Sequence, residues 1–362
     1  MPSRSPLRVL VLVHEDLVPP PDADEQVARA AAAPPDKPAD PFPWRAEHDV
    51  LRALKRLGHE PLALGVQSDL GVIRSAIDVL KPHLAFNLLE EFHGVGVYDQ
   101  HVVSYLELLK VPYTGCNPRG LTLARDKVLT KKILAYHRIR TPDFAHFPLG
   151  RKAVRPRRLA FPLLVKSVSE EASLGIAQAS IVHSDDKLAE RVAFMHQKVG
   201  SDALAEQYIE GRELYVGVLG NQRLRVLPTW ELTFSNLPEA TEAIATARVK
   251  FDAAYQKKLG VKTGPAAALP EGLEPRLQSL CRRVFRALSL SGVARMDLRL
   301  APDGGLWFLE ANPNPNPERG EDLALSAKTA GLSYSGLIQR LLQLGLEYRA
   351  GWKVAEAAAE QG

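Results

Sequence analysis

The chain has 362 residues, of which 46% are hydrophobic and 24% charged, a composition typical of a globular protein with two or three structural units. Its formal net charge is only +4 and it has no long basic run, so we expect no nucleic-acid partner. No segment approaches the ~20 apolar residues that span a bilayer, no signal-peptide pattern is present, and two cysteines provide no disulfide framework. We therefore expect a cytoplasmic protein without a membrane partner.

The first third of the chain alternates strand-like and helix-like patterns. Strands are predicted at 7–13, 61–66 and 83–88, and an amphipathic helix at 46–57. This alternation is typical of an open, mostly parallel sheet with flanking helices, so residues 1–116 are expected to form an N-terminal α/β domain. Residues 19–43 are crowded with Pro, Ala and Asp, which predicts a mobile loop without chemistry of its own.

The remainder of the chain predicts two further units and a tail. The helices expected there lie at 121–137, from Asp185, at 274–288 and at 333–346, and strands are expected at 159–168 and 175–182. The last residues, 351–362, are rich in Ala and Glu and are expected to be frayed.

Two predicted strands near the C-terminus carry polar side chains that could bind a metal ion. An apolar run at 306–309 leads into Glu310 and Asn312, which a strand places on one face. Upstream, Asp297 lies on the charged face of another predicted strand, and residues 302–305 have turn composition. A hairpin would bring the three side chains together. Oxygen ligands of this kind suit Mg²⁺, especially where phosphate oxygens complete its coordination, so the hairpin indicates a nucleotide enzyme.

Three features upstream carry groups suited to phosphate. Lys127 and Lys131 share one face of a predicted helix, although paired lysines are also typical of a solvated helix surface. Lys166 ends an apolar strand, where its ammonium group needs an anionic partner or a route to water. The loop at 169–175 is rich in small residues, so its backbone N–H groups and the Ser173 hydroxyl can approach a phosphate.

Residues 206–216 predict a strand, a turn and a second strand. An extended backbone can offer N–H and C=O groups to a purine edge, and the Glu213 carboxylate suits ribose hydroxyls, although acids beside a turn are also common on an ordinary surface. Residues 93–96 lack both the GxGxxG spacing and a Walker lysine, which disfavours a Rossmann or P-loop site. The spacing of histidines and cysteines indicates neither a metal cluster nor a catalytic triad.

Taken together, these features resemble the ATP-grasp superfamily and, more narrowly, the D-alanine–D-alanine ligase family. The resemblance covers roughly residues 80–347 and depends on motifs in the family order, at 111–115, 126–131, 161–166, 170–176, 209–213, 294–297, 309–312 and 330–334. It implies that the N-terminal α/β domain is followed by the two α+β subdomains of an ATP-grasp fold. We place these subdomains at 117–205 and 206–350, with ATP held between them.

The resemblance also implies a role for each site residue. The residues expected to bind ATP are Lys127 and Lys166 with Ser173 at the phosphates, Glu206, Gln207, Tyr208 and Ile209 at the adenine, and Glu213 at the ribose. The expected ligands of two Mg²⁺ ions, with Mn²⁺ as the alternative metal, are Asp297, Glu310 and Asn312. Arg295 and Lys166 are expected to be catalytic, with Arg295 stabilising the tetrahedral intermediate.

The sequence departs from the family where the substrates would bind. Residues 313–321 replace the segment that normally holds the acceptor carboxylate, and Arg319 could supply a bidentate contact instead. The loop after the first predicted strand lacks the glycine-rich sequence that is usual in the family. Within this loop, Glu15 is the residue that could bind the amino group of a substrate. We therefore expect small-molecule carboxylate and amine substrates other than two D-alanines.

The resemblance predicts an ATP-dependent ligase that forms an amide bond through an acyl phosphate. Two alternatives stay open. One is a non-catalytic nucleotide-binding protein that keeps the fold, and the other is a ligase for a peptide or protein acceptor. The oligomeric state is also open, with a homodimer as one candidate.

Overall fold

The computed structural model describes residues 5–31, 42–169, 175–238 and 241–359. Three sheets organise the described chain. The first is parallel and contains β1 (Arg8–His14), β2 (Glu60–Val66) and β3 (Leu84–Asn87) in the order β2-β1-β3. The helices of this part are α1 (Ala23–Ala31), α2 (Arg45–Arg56), α3 (Gly71–Leu80) and α4 (Asp99–Leu108). Both the parallel pairing and the burial of β1 confirm the predicted N-terminal sheet.

The expectation of a structureless loop at 19–43 is wrong for its first part, where α1 occupies residues 23–31. Its composition explains the helix, because the prolines lie outside these nine residues and Ala, Gln and Arg within them favour helix. Asp24 and Glu25 lie in its first turn and Arg29 in its last, which suits the helix dipole. Residues 32–41 lie outside the described residues.

The second sheet is antiparallel and follows two helices. These helices are α5 (Pro118–Arg125) and α6 (Lys127–Tyr136), and the sheet contains β4 (Phe144–Phe147), β5 (Leu163–Ser167), β6 (Ile181–Val182) and β7 (Ala203–Gln207). The strand order is β4-β7-β5-β6, with α7 (Asp185–Phe194) between β6 and β7. The single helix predicted at 121–137 is interrupted at Asp126, whose side chain caps α6 by accepting a 2.8 Å hydrogen bond from Leu129 N.

The third sheet contains the predicted hairpin. Its strands are β8 (Arg212–Leu219), β9 (Arg225–Val226), β10 (Trp230–Phe234), β11 (Val261–Pro265), β12 (Val293–Leu300) and β13 (Leu306–Pro313). The main path is β11-β10-β8-β12-β13, and β9 pairs with β8. The associated helices are α8 (Ala247–Phe251), α9 (Ala253–Leu259), α10 (Leu273–Ala287), α11 (Asp322–Thr329) and α12 (Tyr334–Glu347). Ser333 caps α12 as its sequence predicts.

Two predicted boundaries need correction. The division at 205/206 falls inside β7, which continues to Gln207 and pairs with β4 and β5, so the chain leaves the second sheet later than expected. Residues 351–359 of the predicted frayed tail form a helix, α13 (Gly351–Ala359), and residues 360–362 lie outside the described residues. The helix is held by Lys353 Nζ, which donates to the backbone oxygens of Leu346 and Tyr348 at 2.8 and 3.0 Å. No helix in the described ranges is both long and apolar enough to span a membrane.

The first and third sheets share one hydrophobic core. Leu10 and Val102 of the N-terminal part belong to the same buried cluster as Leu214, Met296 and Phe308 of the third sheet. This common core positions the end of β13 beside the N-terminal part.

A close contact pins the loop after β13 to the N-terminal part. Gly115 has φ +93°, and a Cβ added there would collide with the side-chain amide of Asn314. The Asn314 Oδ1 atom accepts a 2.7 Å hydrogen bond from Cys116 N. Glycine is therefore needed at 115 both for its backbone conformation and for this approach.

We expect Gly115→Ala to lower the free energy of unfolding by at least about 2 kcal/mol, because it adds a collision to an unfavourable φ. Gly58→Ala is the matched control, since Gly58 has φ +80° and a Cβ there meets no atom within 4 Å. Denaturant titration of both variants measures the difference. Equal losses of stability would show that the Asn314 contact is unimportant.

Candidate functional site

A cleft between the second and third sheets gathers most of the predicted site residues. We call it the lysine cleft; its empty volume, including the open mouth, is about 630 Å³. Among the residues that line it are the predicted site residues Lys166, Glu206, Gln207, Tyr208, Ile209, Glu213, Asp297 and Glu310. The structure thus brings together residues that are separated by up to 144 positions along the chain, 310 minus 166.

At the floor of the lysine cleft, one carboxylate holds two lysines. Glu206 Oε1 lies 2.6 Å from Lys166 Nζ, and Glu206 Oε2 lies 2.7 Å from Lys131 Nζ. All three side chains are buried. Because two ammonium groups face one carboxylate, the group carries a surplus positive charge that can attract an anion. Burial alone would raise the pKa of Glu206, but the charges of Lys131 and Lys166 hold it below its usual range.

This arrangement changes the role expected of Glu206. Its carboxylate is occupied by Lys131 and Lys166, so it positions the two lysines, and an adenine contact stays a prediction for residues 207–209. The sequence drew attention to Lys131 only as the neighbour of Lys127 on one helix face. The signal for its pairing was absent, because Glu206 lies 75 positions further along the chain, 206 minus 131.

We expect Glu206→Gln to lower the free energy of unfolding by about 3 kcal/mol at neutral pH, because it leaves two buried ammonium groups without their counter-charge. The lowered pKa of Glu206 means that its stabilising effect is present above pH 4.5 and is lost as the pH falls below that value. Denaturant unfolding at several pH values measures both effects. Glu210→Gln, at an exposed position on the same segment, should change stability little; an equal loss there would refute the assignment.

The far wall of the lysine cleft is formed by Glu213 and its partners. Arg299 Nη2 donates to Glu213 Oε2 at 2.7 Å, and the Tyr215 hydroxyl donates to Glu213 Oε1 at 2.9 Å. The Arg299 guanidinium also donates to the backbone oxygen of Gly211 at 2.9 Å and lies 5.7 Å from the centre of the Tyr208 ring. The Glu213 carboxylate is therefore held in one orientation. Arg299 was not predicted as a site residue. It is nevertheless two residues after Asp297 and four after Arg295, so the three side chains share one charged face of β12.

The β12–β13 hairpin places the predicted metal ligands together. Asp297 and Glu310 are register partners across the two strands, and Asn312 Nδ2 donates to Asp297 Oδ2 at 3.0 Å. Arg295 clasps the Asp297 carboxylate with two hydrogen bonds of 2.8 and 2.9 Å. Lys127 Nζ lies 4.0 Å from Glu310 Oε2. The nearby lysines, Lys127 foremost, outweigh burial and lower the pKa of Glu310 to about 2.

This donor set fits a hard divalent cation such as Mg²⁺. The protein would supply two carboxylates, those of Asp297 and Glu310, and the Asn312 amide oxygen. Within the described part of the chain, no three His, Cys, Asp or Glu side chains form a group that could hold a metal ion without other ligands. Phosphate oxygens and water are the natural remaining ligands of such a site, because Mg²⁺ commonly binds through one or two carboxylates and a substrate phosphate.

A second cleft opens beyond the hairpin. We call it the acidic cleft; its empty volume, including the open mouth, is about 1880 Å³, and Ala245 and Lys250 line both clefts. It is lined by Arg295, by Asn312 and much of the loop that follows, and by Glu90, Asp99 and Arg125 of the opposite wall. The clefts meet at the hairpin, so a group bound at the metal ligands would face both.

Four predicted residues do not line either cleft. One is Lys127, which reaches the hairpin through its 4.0 Å approach to Glu310 Oε2. Glu15 is exposed and packs against Gly65 of β2. Arg319 stacks its guanidinium over the Tyr334 ring at 4.4 Å, while its backbone N–H donates to Asp49 Oδ2 at 3.3 Å. Ser173 lies outside the described residues. The substrate contacts expected of Glu15 and Arg319 therefore have no support in the geometry.

Glu47 is a buried carboxylate that the sequence reading missed. It is only 5% exposed, and its Oε2 atom has no hydrogen-bond partner in the described part of the chain. Burial, the charge of Glu90 and that of Glu318 raise its pKa to about 7. The signal was present in α2, where Glu47 lies three residues before the buried Val50 and seven before the buried Leu54 and therefore shares their face of the helix.

The raised pKa of Glu47 predicts a pH-dependent stability. Between pH 4.5 and about pH 7 the Glu47 carboxyl holds a proton in the native state that it has lost in the unfolded state. The free energy of unfolding therefore falls as the pH rises across this interval, by up to about 3 kcal/mol. Glu47→Gln should remove that part of the decline. Denaturant unfolding at about pH 5 and about pH 8 measures the effect. Glu60→Gln, an exposed control, should keep the slope of the wild type; an unchanged slope in Glu47→Gln would contradict the assignment.

Comparison with known proteins gives consistent matches over nearly the whole chain. A family model described as D-ala D-ala ligase C-terminus matches residues 133–343. An uncharacterized protein from Sinorhizobium fredii is 34% identical over 85% of this chain and 90% of its own length. The D-alanine–D-alanine ligase of Syntrophotalea carbinolica is 33% identical over 81% of this chain and 88% of its own length.

A solved structure shares the fold. The crystal structure of D-alanine–D-alanine ligase from Bacillus anthracis complexed with ATP matches 98% of this chain and 100% of its own chain. The TM-score is 0.70 and the sequence identity is 22%. The structural likeness thus extends beyond the C-terminal region that the family model covers to the N-terminal sheet.

Proposed function

Because the chain belongs to the D-alanine–D-alanine ligase family of the ATP-grasp superfamily, we propose that it is an ATP- and Mg²⁺-dependent ligase that joins a carboxylate to an amine through an acyl phosphate. The observation that carries the proposal is the meeting of the lysine cleft and the acidic cleft at the hairpin. Asp297, Glu310 and Asn312 lie at that meeting point, between a positively charged floor and a larger cavity.

The lysine cleft is suited to ATP. Lys127 and Lys166 supply point charges for phosphate oxygens, and Glu206 keeps Lys166 in place. Residues 207–209 lie on the same cleft wall and can border the adenine, while the Glu213 carboxylate, fixed by Arg299 and Tyr215, can accept ribose hydroxyls. These contacts would hold the terminal phosphate toward the hairpin.

The chemistry has two steps. In the first, an oxygen of the substrate carboxylate attacks the terminal phosphorus of ATP, ADP leaves, and an acyl phosphate forms. Mg²⁺ held by Asp297, Glu310 and Asn312 would neutralise the charge on the phosphate oxygens in this step. In the second, an amine nitrogen attacks the acyl carbon and inorganic phosphate leaves.

Arg295 is placed to assist the second step. Arg295 belongs to β12 of the hairpin and lines the acidic cleft, and Asp297 orients its guanidinium through two hydrogen bonds. A fixed positive group stabilises the oxyanion that develops when the amine adds to the acyl carbon. Lys166, on the opposite side of the hairpin, serves the first step by contacting the phosphoryl group as it transfers.

The substrates are proposed to differ from two D-alanines. The loop that follows Asn312 and the start of α11 give the acidic cleft the carboxylates of Glu318, Glu321 and Asp322. These groups disfavour an acceptor carboxylate beside them, and Arg319, the expected counter-charge, stacks on Tyr334 instead.

We expect Mg²⁺-dependent ADP release that requires both an acid and an amine, measured over a panel of amino acids, dipeptides, other carboxylates and amines. Asp297→Asn should lower the rate at least ~100-fold, because it removes a metal ligand and releases Arg295. Asp186→Asn, an exposed control on α7, should leave it unchanged. ADP release in Asp297→Asn at the wild-type rate would exclude the metal role, and no substrate-stimulated release from any pair would favour a non-catalytic nucleotide-binding protein.

A further inference from the structure

A segment between β10 and β11 forms part of the lysine cleft. We call it the crossing segment; it comprises residues 242–250 and includes most of α8. Ile244, Ala245 and Lys250 line the lysine cleft, and Ile244 is buried. Because the segment belongs to none of the strands of the third sheet, its position depends on contacts with other elements.

Residues that precede β6 hold one side of the crossing segment. Gln178 Nε2 donates to Glu242 O at 3.1 Å, and Ala247 N donates to Ile176 O at 3.3 Å. These two hydrogen bonds tie the segment to the part of the chain that contains the second sheet. Its position against the third sheet depends on a different contact.

Arg299 holds the other side. This residue of β12 lines the lysine cleft and is only 4% exposed. Its Nη2 atom donates to Ala243 O at 2.6 Å and to Glu213 Oε2 at 2.7 Å, while Nη1 donates to Gly211 O at 2.9 Å. Neutralising a buried carboxylate would need only the Glu213 contact, but the fixed fork of guanidinium donors also reaches two backbone oxygens. Arg299 therefore connects Glu213, the proposed ribose contact, with the crossing segment.

Lys250 is the charged group through which the crossing segment reaches the hairpin. It lines both clefts, and its positive charge acts on Glu310. It lies on the short helix α8, where Thr246 Oγ1 caps the start by accepting a 3.1 Å hydrogen bond from Val249 N. Because the helix is short and capped, the position of Lys250 follows that of residues 242–246. A cation placed there suits the phosphates of a nucleotide bound at the Mg²⁺ ligands.

Resting on the proposed ligase function, we propose that Arg299 is a positioning residue for ATP, which fixes the Glu213 carboxylate for the ribose and, through Ala243, holds Lys250 toward the phosphates. The two ends of the nucleotide are then bound by groups that share one guanidinium. Loss of Arg299 releases both groups at once, whereas loss of either group alone leaves the other in place. This shared dependence distinguishes a positioning residue from an ion pair that serves only to neutralise Glu213.

The hydrogen bonds of Glu213 indicate what it can still bind. Its Oε1 atom accepts from the Tyr215 hydroxyl at 2.9 Å and its Oε2 atom accepts from Arg299. A carboxylate has about four acceptor sites, so about one per oxygen remains, which matches the pair of hydroxyls on a ribose. Among the described residues, the Tyr215 hydroxyl makes no hydrogen bond to the crossing segment. Tyr215 thus shares the first task of Arg299 but not the second.

Arg299→Lys and Tyr215→Phe test the ribose contact. Arg299→Lys keeps the counter-charge of Glu213 but lacks the planar fork, and Tyr215→Phe keeps the aromatic ring. A non-hydrolysable ATP analogue and its 2′-deoxy form are titrated calorimetrically into each full-length variant with Mg²⁺. The wild type should bind the ribose form about tenfold more tightly, and each variant should reduce this preference to about threefold or less. An undiminished preference in Arg299→Lys would overturn the proposal.

The link to the crossing segment is tested by adding Lys250→Met to each background. In the wild type and in Tyr215→Phe, this substitution should weaken binding of the ATP analogue about tenfold. In Arg299→Lys it should weaken binding only about twofold, because Lys250 is no longer held at the phosphates. Equal effects in all three backgrounds would show that Arg299 does not position Lys250 and would also overturn the proposal.

Arg299→Gln, a neutral variant that keeps an amide donor, provides a second test with the same expected losses, and denaturant titration establishes that each variant is folded. Normal binding of the ATP analogue to the wild type, together with either contrary result, would overturn the role of Arg299 and leave the ligase proposal standing. Failure of the ATP analogue to bind the wild type would instead overturn the ligase proposal, and the role of Arg299 with it.

Discussion

The geometry of the site depends on one buried contact, the Glu206 carboxylate between the ammonium groups of Lys131 and Lys166. Each lysine comes from a different element, α6 and β5, and the carboxylate comes from β7. Because an unpaired charge is costly in the interior, the three elements are held in one arrangement. That arrangement leaves a surplus positive charge on the floor of a cleft, opposite the carboxylates of the hairpin.

A second layer of contacts extends this order to the hairpin and the loop after it. Arg295 holds Asp297, Arg299 holds Glu213, and Asn314 fixes the start of the following loop against residues 115 and 116. The charged groups along one face of β12 are therefore locked in place before any ligand binds. Preorganisation of this kind lowers the cost of arranging charge in a reaction, which is the main contribution that a protein makes to phosphoryl and acyl transfer.

The sequence predicted those features that depend on local patterns. The hairpin followed from the alternation of polar and apolar residues in β12 and β13 and from the turn between them, and the capped helix α12 followed from Ser333. Contacts between distant segments were not predictable in the same way. Glu206 pairs with Lys131 from 75 positions away, and Glu47 reaches the charges of Glu90 and Glu318 only because α2 packs near both. The helix α1 was missed because the flanking prolines outweighed the alanines between them.

The central claim is that a substrate carboxylate is activated as an acyl phosphate in the space between the two clefts. The most direct measurement is the fate of ¹⁸O in a carboxylate substrate during turnover with ATP, Mg²⁺ and an amine. The account predicts that one labelled oxygen per turnover appears in the inorganic phosphate, because the carboxylate oxygen that attacks phosphorus leaves with it. Inorganic phosphate without label, formed together with the amide product, would contradict the account.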